Sequence, residues 1–434
     1  MSEKRFAIIG HPILHSKSPQ IHNHWFRENN LSANYSRIIA NDVYVALGMG
    51  YKLGLTGANV TAPFKEKVIP SLVYLSPEAA AVGAVNTLIY NGPNISGYNT
   101  DVTGVIRAFQ INNVELKHKS LLVIGAGGAA RAIVSALKPS GAEITIVNRP
   151  DEMALNLARS FQVKSVHFSE IQTAVRTAEI IVTALPPGVR VVEPEWLNSR
   201  QIIMDANYKN SEMEPLAQAV GARFISGIVW LTEQARPAFE LFTGIQPASD
   251  IPPAIIDGNP YAGKSNVILT GFMGAGKSTL GPQLAERLGW QFVDVDQVIV
   301  ESAGKSINAI FKDEGEEEFR RLESQALAKI LESRNQVIAG GGGIILSEIN
   351  RALICQKALS IWLFARPLQI WPRIEQAGRP LLKSDDPLAT AEQIFRTRSD
   401  LYFNTADGIL DTEVATPETC TDLLYAEISQ IFHD

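Results

Sequence analysis

Residues 266–288 read NVILTGFMGAGKSTLGPQLAERL: a short apolar strand, a glycine loop and a helix in immediate succession. Gly271, Gly276, Lys277 and Ser278 satisfy G-x-x-x-x-G-K-[ST] at every position. In such a loop the backbone amides cradle phosphates, the lysine reaches the β and γ oxygens, and the hydroxyl coordinates Mg²⁺. Gly274, Ala275, Gly276, Lys277, Ser278 and Thr279 are therefore the expected phosphate-binding residues, for ATP or GTP.

A different glycine loop lies upstream. Residues 120–137, SLLVIGAGGAARAIVSAL, again read strand, turn, helix, but Gly125, Gly127 and Ala130 fit G-x-G-x-x-A. The first glycine permits the turn, the second admits a pyrophosphate, and the small third residue lets helix and strand pack closely. Ala126, Gly128 and Ala129 complete this expected cofactor-binding loop. The next apolar run, EITIVNRP, ends at Asn148-Arg149 with no acid before Asp151. An acid at that strand end would bind a ribose 2′-hydroxyl, whereas an arginine can pair with a 2′-phosphate, so NADP is the expected dinucleotide.

Outward from the two loops, short β-branched runs (RFAIIG, EIIVTAL, NQVIAG, LSIWLFA) alternate with helix-length segments. That alternation predicts parallel sheets covered by helices. Residues 244–263, GIQPASDIPPAIIDGNPYAG, break it with Pro-Pro and Asn-Pro and read as a linker. The expected fold class is α/β throughout. Residues 1–100 plus 225–250 would form a substrate domain and 101–224 a Rossmann domain; 246–263 would link them to a P-loop, nucleoside-monophosphate-kinase-like domain with a parallel sheet at 264–434.

The bulk properties agree with a multidomain globular chain. It has 434 residues, 46% hydrophobic and 19% charged, with a formal net charge of −6. An acidic balance argues against a nucleic-acid binder. Cys355 and Cys420 make no metal-ligand spacing and read as thiols of a reducing compartment, with a single disulfide as the weaker reading. The apolar run at the N-terminus is too short for a signal peptide, and no stretch reaches the roughly 20 apolar residues of a membrane helix. A cytoplasmic protein with no membrane partner is expected; oligomeric state is not legible.

Polar groups cluster on loop-like stretches of the first half: Ser16 and Ser18 in HSKSP, Asn59, Thr61 and Lys65 in NVTAPFKE, Asn86 in GAVNTL, and Asp101 in NTD. Such a set suits a ligand with several hydroxyls and a carboxylate, since each buried hydroxyl needs a partner. In the second half, FVDVD places Asp294 and Asp296 two apart, on one side if the segment is extended. One can hold a metal through water while the other orients an acceptor hydroxyl. FRRLE places Arg320 near a helix start, where it can take a carboxylate, although a solvated, salt-bridged helix also explains the charges there. The run Gly340–Gly343 points to close backbone approach by a ligand. RPLL offers Arg379 on a possible lid, and RSDLY offers Arg398.

These motifs resemble two families. HSKSP, NVTxPFKE, GAVNTL, NTD, GAGGAAR, NR and the closing GIVWLTEQARPAFELFTG, over about 1–245, resemble shikimate dehydrogenase. The resemblance implies that Ser16, Ser18, Asn59, Thr61, Asn86, Tyr208 and Gln234 bind substrate, that Lys65 and Asp101 are the catalytic pair, and that Asn148, Arg149 and Gly227 contact NADP(H). Trp230 stands where this family usually has a methionine near the nicotinamide, and Tyr98 where many members carry an acid. The P-loop, DxD, FRRxE, the glycine run, RPLL and RxxLY, over about 266–434, resemble shikimate kinase. That resemblance implies shikimate contacts from Asp296, Arg320, Gly342 and Arg398, and phosphoryl stabilisation by Lys277 and Arg379. It further implies an adenine flanked by Arg373, and Mg²⁺ held through Ser278 and Asp294. Together they imply 3-dehydroshikimate and shikimate as substrates, with NADP(H), ATP and Mg²⁺. The alternatives are a quinate dehydrogenase joined to another small-metabolite kinase, which FRRLE followed by RPLL disfavours, or a metabolite-sensing regulator, which would not require Lys65, Asp101, Lys277 and Asp296.

Overall fold

The computed structural model describes residues 3–186, 188–208, 211–247, 249–374, 380–382 and 384–432. By packing, the chain divides into two compact units, one of Met1–Asn23, Leu31–Leu55 and Asp257–Asp434, the other of His24–Asn30 and Thr56–Ile256. This grouping cuts across the segments expected from motifs.

In the first unit the kinase-like segment builds a five-stranded parallel sheet in the order Gln291–Asp294, Gln336–Ala339, Asn266–Thr270, Ala358–Phe364, Gly408–Asp411. All five residues of Asn266–Thr270 are buried, as a central strand covered on both faces requires. The P-loop leaves its C-terminal end, where the strand order reverses and a crevice opens. The sheet does not stop at Gly408–Asp411. That strand pairs in parallel with Ala33–Ile39, through Ile409 with Ile38 and Leu410 with Ile39, and Ala33–Ile39 pairs in parallel with Lys4–Gly10. Two N-terminal strands thus extend the sheet of the C-terminal segment. No motif records a strand edge, so the sequence gives no sign of this join.

The stretch expected to be a linker is partly structured. Pro253–Asp257 is a short helix, and Tyr261 is buried, donating its hydroxyl to Leu14 O at 2.6 Å.

The second unit holds a six-stranded sheet in the order Arg223–Ile225, Ile202–Asp205, Ile180–Thr183, Ser120–Ile124, Glu143–Val147, Lys164–Ser165. Every pair in it is parallel. The expected Rossmann strands SLLVI and EITIV lie side by side. Apolar side chains on both faces form two cores, one around Val123, Ile133 and Phe109, the other around Ile124, Ile181 and Leu216. A smaller antiparallel set, with Leu55–Val60 on Thr87–Asn91 and Thr87–Asn91 on Asn94–Tyr98, carries the NVTAPFKE and GAVNTL stretches. Among the described residues no helix is long and apolar enough to cross a membrane.

Candidate active sites

In the second unit, Lys65 follows strand Leu55–Val60, and Asp101 opens helix Asp101–Ile111. The Lys65 Nζ donates to Asp101 Oδ2 at 2.7 Å, with side chains 20% and 8% exposed, so the pair is accessible yet largely desolvated. A Cβ on Gly128 would lie 3.7 Å from Lys65 Cδ, so the dinucleotide loop borders the lysine stem. Asn86 ties the surrounding loops together. Its Oδ1 accepts from Thr100 N at 2.8 Å, and its Nδ2 donates to Thr100 Oγ1 at 2.9 Å and Gln234 Oε1 at 3.2 Å. Asn59 Nδ2 donates to Asn86 O and Thr87 Oγ1, both at 3.1 Å. Asn59, Asn86 and Gln234, scattered over the sequence, are thus joined by hydrogen bonds, and Thr100, a partner of Asn86, directly precedes Asp101, the partner of Lys65; Thr61 and Tyr208 are half-buried. Ser16 and Ser18 belong to the first unit, 5% exposed each, with their hydroxyls 3.3 Å apart.

Two contacts in this region were not among those expected. Trp230 donates its indole N–H to Asp101 O at 3.0 Å. A Cβ on Gly104 would stand 2.6 Å from Gln234 Cβ, so glycine there lets the helix bearing Gln234 approach. Gly227, expected to touch cofactor, has a packing reason of its own: a Cβ would stand 2.6 Å from Asp205 O.

The dinucleotide loop fits its ligand. Gly125 has φ 126°, and a Cβ there would meet Ala184 O at 2.5 Å, whereas a Cβ on Gly127 would meet nothing within 4 Å. The open side of Gly127 at the start of helix Gly128–Leu137 is where a pyrophosphate can approach, beside Ala126 and Ala129. Asp151 is occupied elsewhere, accepting from Phe168 N at 2.6 Å and pairing with His167 at 2.8 Å. Arg149 is exposed, its guanidinium 5.4 Å from the Phe168 ring centroid, and Asn148 donates to Pro150 O.

In the first unit, a cavity of about 580 Å³ is lined by Gly274–Thr279, Asp294, Asp296, Gly340, Gly342, Arg373 and Thr412, among others. Lys277 Nζ is held by Gly271 O and Phe272 O at 2.8 and 3.0 Å, arching over the loop it serves. Ser278 Oγ donates to Asp294 Oδ2 at 2.9 Å. A hydroxyl and a carboxylate oxygen side by side suit Mg²⁺, which keeps several waters and takes few protein ligands. Asp294 and Asp296 do not share an extended segment. Asp294 caps helix Val295–Ala303 by accepting from Asp296 N at 3.0 Å, and Asp296 lies in the first turn of that helix.

A second cavity of about 330 Å³ is lined by Asp296, Arg320, Glu323, Gly341–Gly343 and Arg398. Asp296, Met273 and Gly342 line both cavities. Arg320 donates to Glu323 at 2.8 Å and to Glu316 at 3.0 Å. Arg398 donates to Gly342 O at 2.9 Å; burial lowers its pKa and the neighbouring Arg320 charge adds to that. Burial pushes the Glu323 carboxyl up against the opposing pull of Arg320. Two partly desolvated guanidiniums at one small cavity favour a carboxylate ligand. The glycine run owes part of its composition to the protein itself: a Cβ on Gly341 would collide with Glu323 Oε1, and one on Gly343 with the Arg320 guanidinium. Arg379 lies outside the described residues. Among those described, no cluster of three or more His, Cys, Asp or Glu forms a metal centre, and the cysteines are unpaired.

Both segments of the chain are similar to known proteins. Three family models fit the chain: shikimate dehydrogenase substrate binding domain at 8–88, shikimate / quinate 5-dehydrogenase at 107–206, and shikimate kinase at 273–429. The shikimate dehydrogenase (NADP(+)) of Aquifex aeolicus is 34% identical over 248 residues, covering 56% of this chain and 91% of its own length. That of Halobacterium salinarum is 36% identical over 249 residues, covering 55% and 93%. The crystal structure of shikimate 5-dehydrogenase from Thermus thermophilus with NADP(H) and shikimate superposes with a TM-score of 0.53 at 30% identity, covering 58% of this chain and 97% of that one. The chain belongs to the shikimate dehydrogenase family and carries, at 273–429, a shikimate kinase domain.

Proposed function

We infer that the chain catalyses consecutive reactions: NADPH-dependent reduction of 3-dehydroshikimate to shikimate, then ATP- and Mg²⁺-dependent phosphorylation of shikimate to shikimate 3-phosphate. The first rests on the Lys65–Asp101 pair beside the dinucleotide loop, and the second on Asp296 standing between the P-loop cavity and the arginine-lined one.

When bound, NADPH supplies the hydride, and ATP with Mg²⁺ the phosphoryl group. Lys65 gives a proton to the oxygen of the carbonyl being reduced, while Asp101 orients the Lys65 side chain. Ser16, Ser18, Asn59, Thr61, Asn86, Tyr208 and Gln234 bind the substrate's hydroxyls and carboxylate; Gly125–Ala129, Asn148, Arg149 and Gly227 hold the dinucleotide. In the kinase, Arg320, Arg398 and Gly342 fix shikimate with its 3-hydroxyl toward Asp296, its base or orienter. Lys277 and Arg379 stabilise charge on the transferring group, Arg373 flanks the adenine, and Ser278 and Asp294 hold the metal. Phosphoryl transfer depends chiefly on such positioning. Free thiols at Cys355 and Cys420 support placing the protein in the cytoplasm.

The test is NADPH oxidation on adding 3-dehydroshikimate, followed by ADP release on adding ATP, with quinate as the competing substrate. Lys65→Ala is expected to abolish reduction and spare phosphorylation of added shikimate; Lys277→Ala is expected to do the reverse. Folded protein silent in both assays would falsify the enzyme reading, and loss of both activities from either variant would overturn the assignment of separate catalytic groups.

A further inference from the structure

We propose that Glu427, on the C-terminal helix of the kinase domain, is a positioning residue for the dehydrogenase reaction. Its carboxylate holds the His11–Ser18 loop in the shape that lets Ser16 and Ser18 bind substrate. The proposal rests on the assignment of those serines above.

Helix Pro417–Phe432 carries Glu427 into the interior of the first unit, where it is 1% exposed. A buried carboxylate is costly unless donors surround it. Ile13 N lies 2.8 Å from both of its oxygens, Leu14 N lies 2.9 Å from Oε2, and His11 Nδ1 lies 3.2 Å from Oε1. The need runs both ways. Ile13 and Leu14 are buried in a segment between strand Lys4–Gly10 and helix Ser18–Glu28, so their amides have no strand or helix partner and are shut off from solvent. Buried backbone amides must be paired, and Glu427 is their acceptor.

The same loop is gripped on its carbonyl side. Tyr261 Oη donates to Leu14 O at 2.6 Å. Arg37 donates to Ser16 O from Nη2 at 2.5 Å and Nε at 3.2 Å, and its Nη1 donates to Asp407 O at 3.3 Å. Inside this grip Ser16 N donates to Ile13 O at 3.0 Å, closing the turn that presents Ser16. Glu427, Tyr261 and Asp407 all come from the segment that follows the dehydrogenase family match. A carboxylate suits the place better than its amide would, because a glutamine has one acceptor oxygen for two backbone donors and turns an N–H₂ group toward the second.

The experiment uses the full chain with Glu427→Gln, Glu427→Asp, Tyr261→Phe and Ser16→Ala, each assayed for both reactions. Glu427→Gln is expected to raise KM for 3-dehydroshikimate about tenfold, with kcat, KM for NADPH and both kinase KM values within about twofold of wild type. Glu427→Asp recovers part of the loss, and Tyr261→Phe shows a smaller rise of the same kind. Unchanged kinase kinetics certify that the C-terminal helix is folded. A Glu427→Gln enzyme with unaltered KM for 3-dehydroshikimate, alongside a raised KM in Ser16→Ala, overturns the proposal. An unaltered KM in Ser16→Ala overturns instead the reading of the loop as a substrate contact. Loss of both activities in Glu427→Gln and Glu427→Asp alike makes Glu427 a folding residue and also overturns the proposal.

Discussion

Trp230 illustrates what single residues contribute. Its indole N–H fastens the carbonyl of Asp101, the residue that grips Lys65, and a phenylalanine would keep the bulk without the donor. Trp230→Phe is expected to lower kcat for reduction roughly fivefold to tenfold through loss of one buried hydrogen bond, with phosphorylation untouched; steady-state assays of both reactions check this. In the kinase, Gly343→Ala puts a methyl group where the Arg320 guanidinium sits. That variant is expected to raise KM for shikimate more than KM for ATP, and a change confined to ATP would contradict the assignment of Arg320. Residues inside motifs were legible in the sequence: Lys65 and Asp101 stand 36 positions apart and meet as expected. Trp230 and Gly104 were not, because their roles depend on which helix face meets which loop, and no spacing rule encodes that.

Elements show a similar division. The strand–loop–helix units around both glycine loops were legible because hydrophobic runs, glycines and helix starts are local signals. The start of a helix between Asp294 and Asp296 was not, because a side-chain cap at Asp294 ends the strand two residues before Asp296. Nor was the strand pairing of Gly408–Asp411 with Ala33–Ile39, where glycine makes the fit possible: a Cβ on Gly408 would stand 2.8 Å from Leu14 and 2.9 Å from Ile39. Gly408→Val should therefore lower the melting temperature, measured by calorimetry, by overpacking the join. Beyond the end of the same strand, Glu413 receives Arg366 at 2.8 Å and Lys52 at 2.7 Å. Burial pushes its carboxyl up, but the hydrogen bonds from Arg366 and Lys52 outweigh burial and hold it below the usual range. A lowered native pKa adds stability above the unfolded value of about 4.3, lost as pH falls through the native value. Urea unfolding of wild type and Glu413→Gln should show a stability gap at pH 7 that narrows in acid; a gap that widens in acid would contradict the pairing.

At the scale of the molecule, motif order along the chain announced two activities but not how the chain packs. Residues 1–55 contribute two strands to the unit that contains the kinase, and the supposed linker delivers Tyr261 into it. A chain ending near residue 250 is expected to leave the Ala33–Ile39 edge unpaired and to associate or precipitate, read by size-exclusion chromatography. A monodisperse, fully active fragment would show that the shared sheet is dispensable.

The shared sheet also bears on how such a gene can change over time. Two enzymes tied by a flexible tether can be separated again by a single break, with each half keeping its fold. Here a break would expose a strand edge, strand the Ile13 and Leu14 amides without Glu427, and leave Lys52 without its acids, all in one step. Each residue in the join adds to what such a break would have to repair, so the join acts as a ratchet against separation.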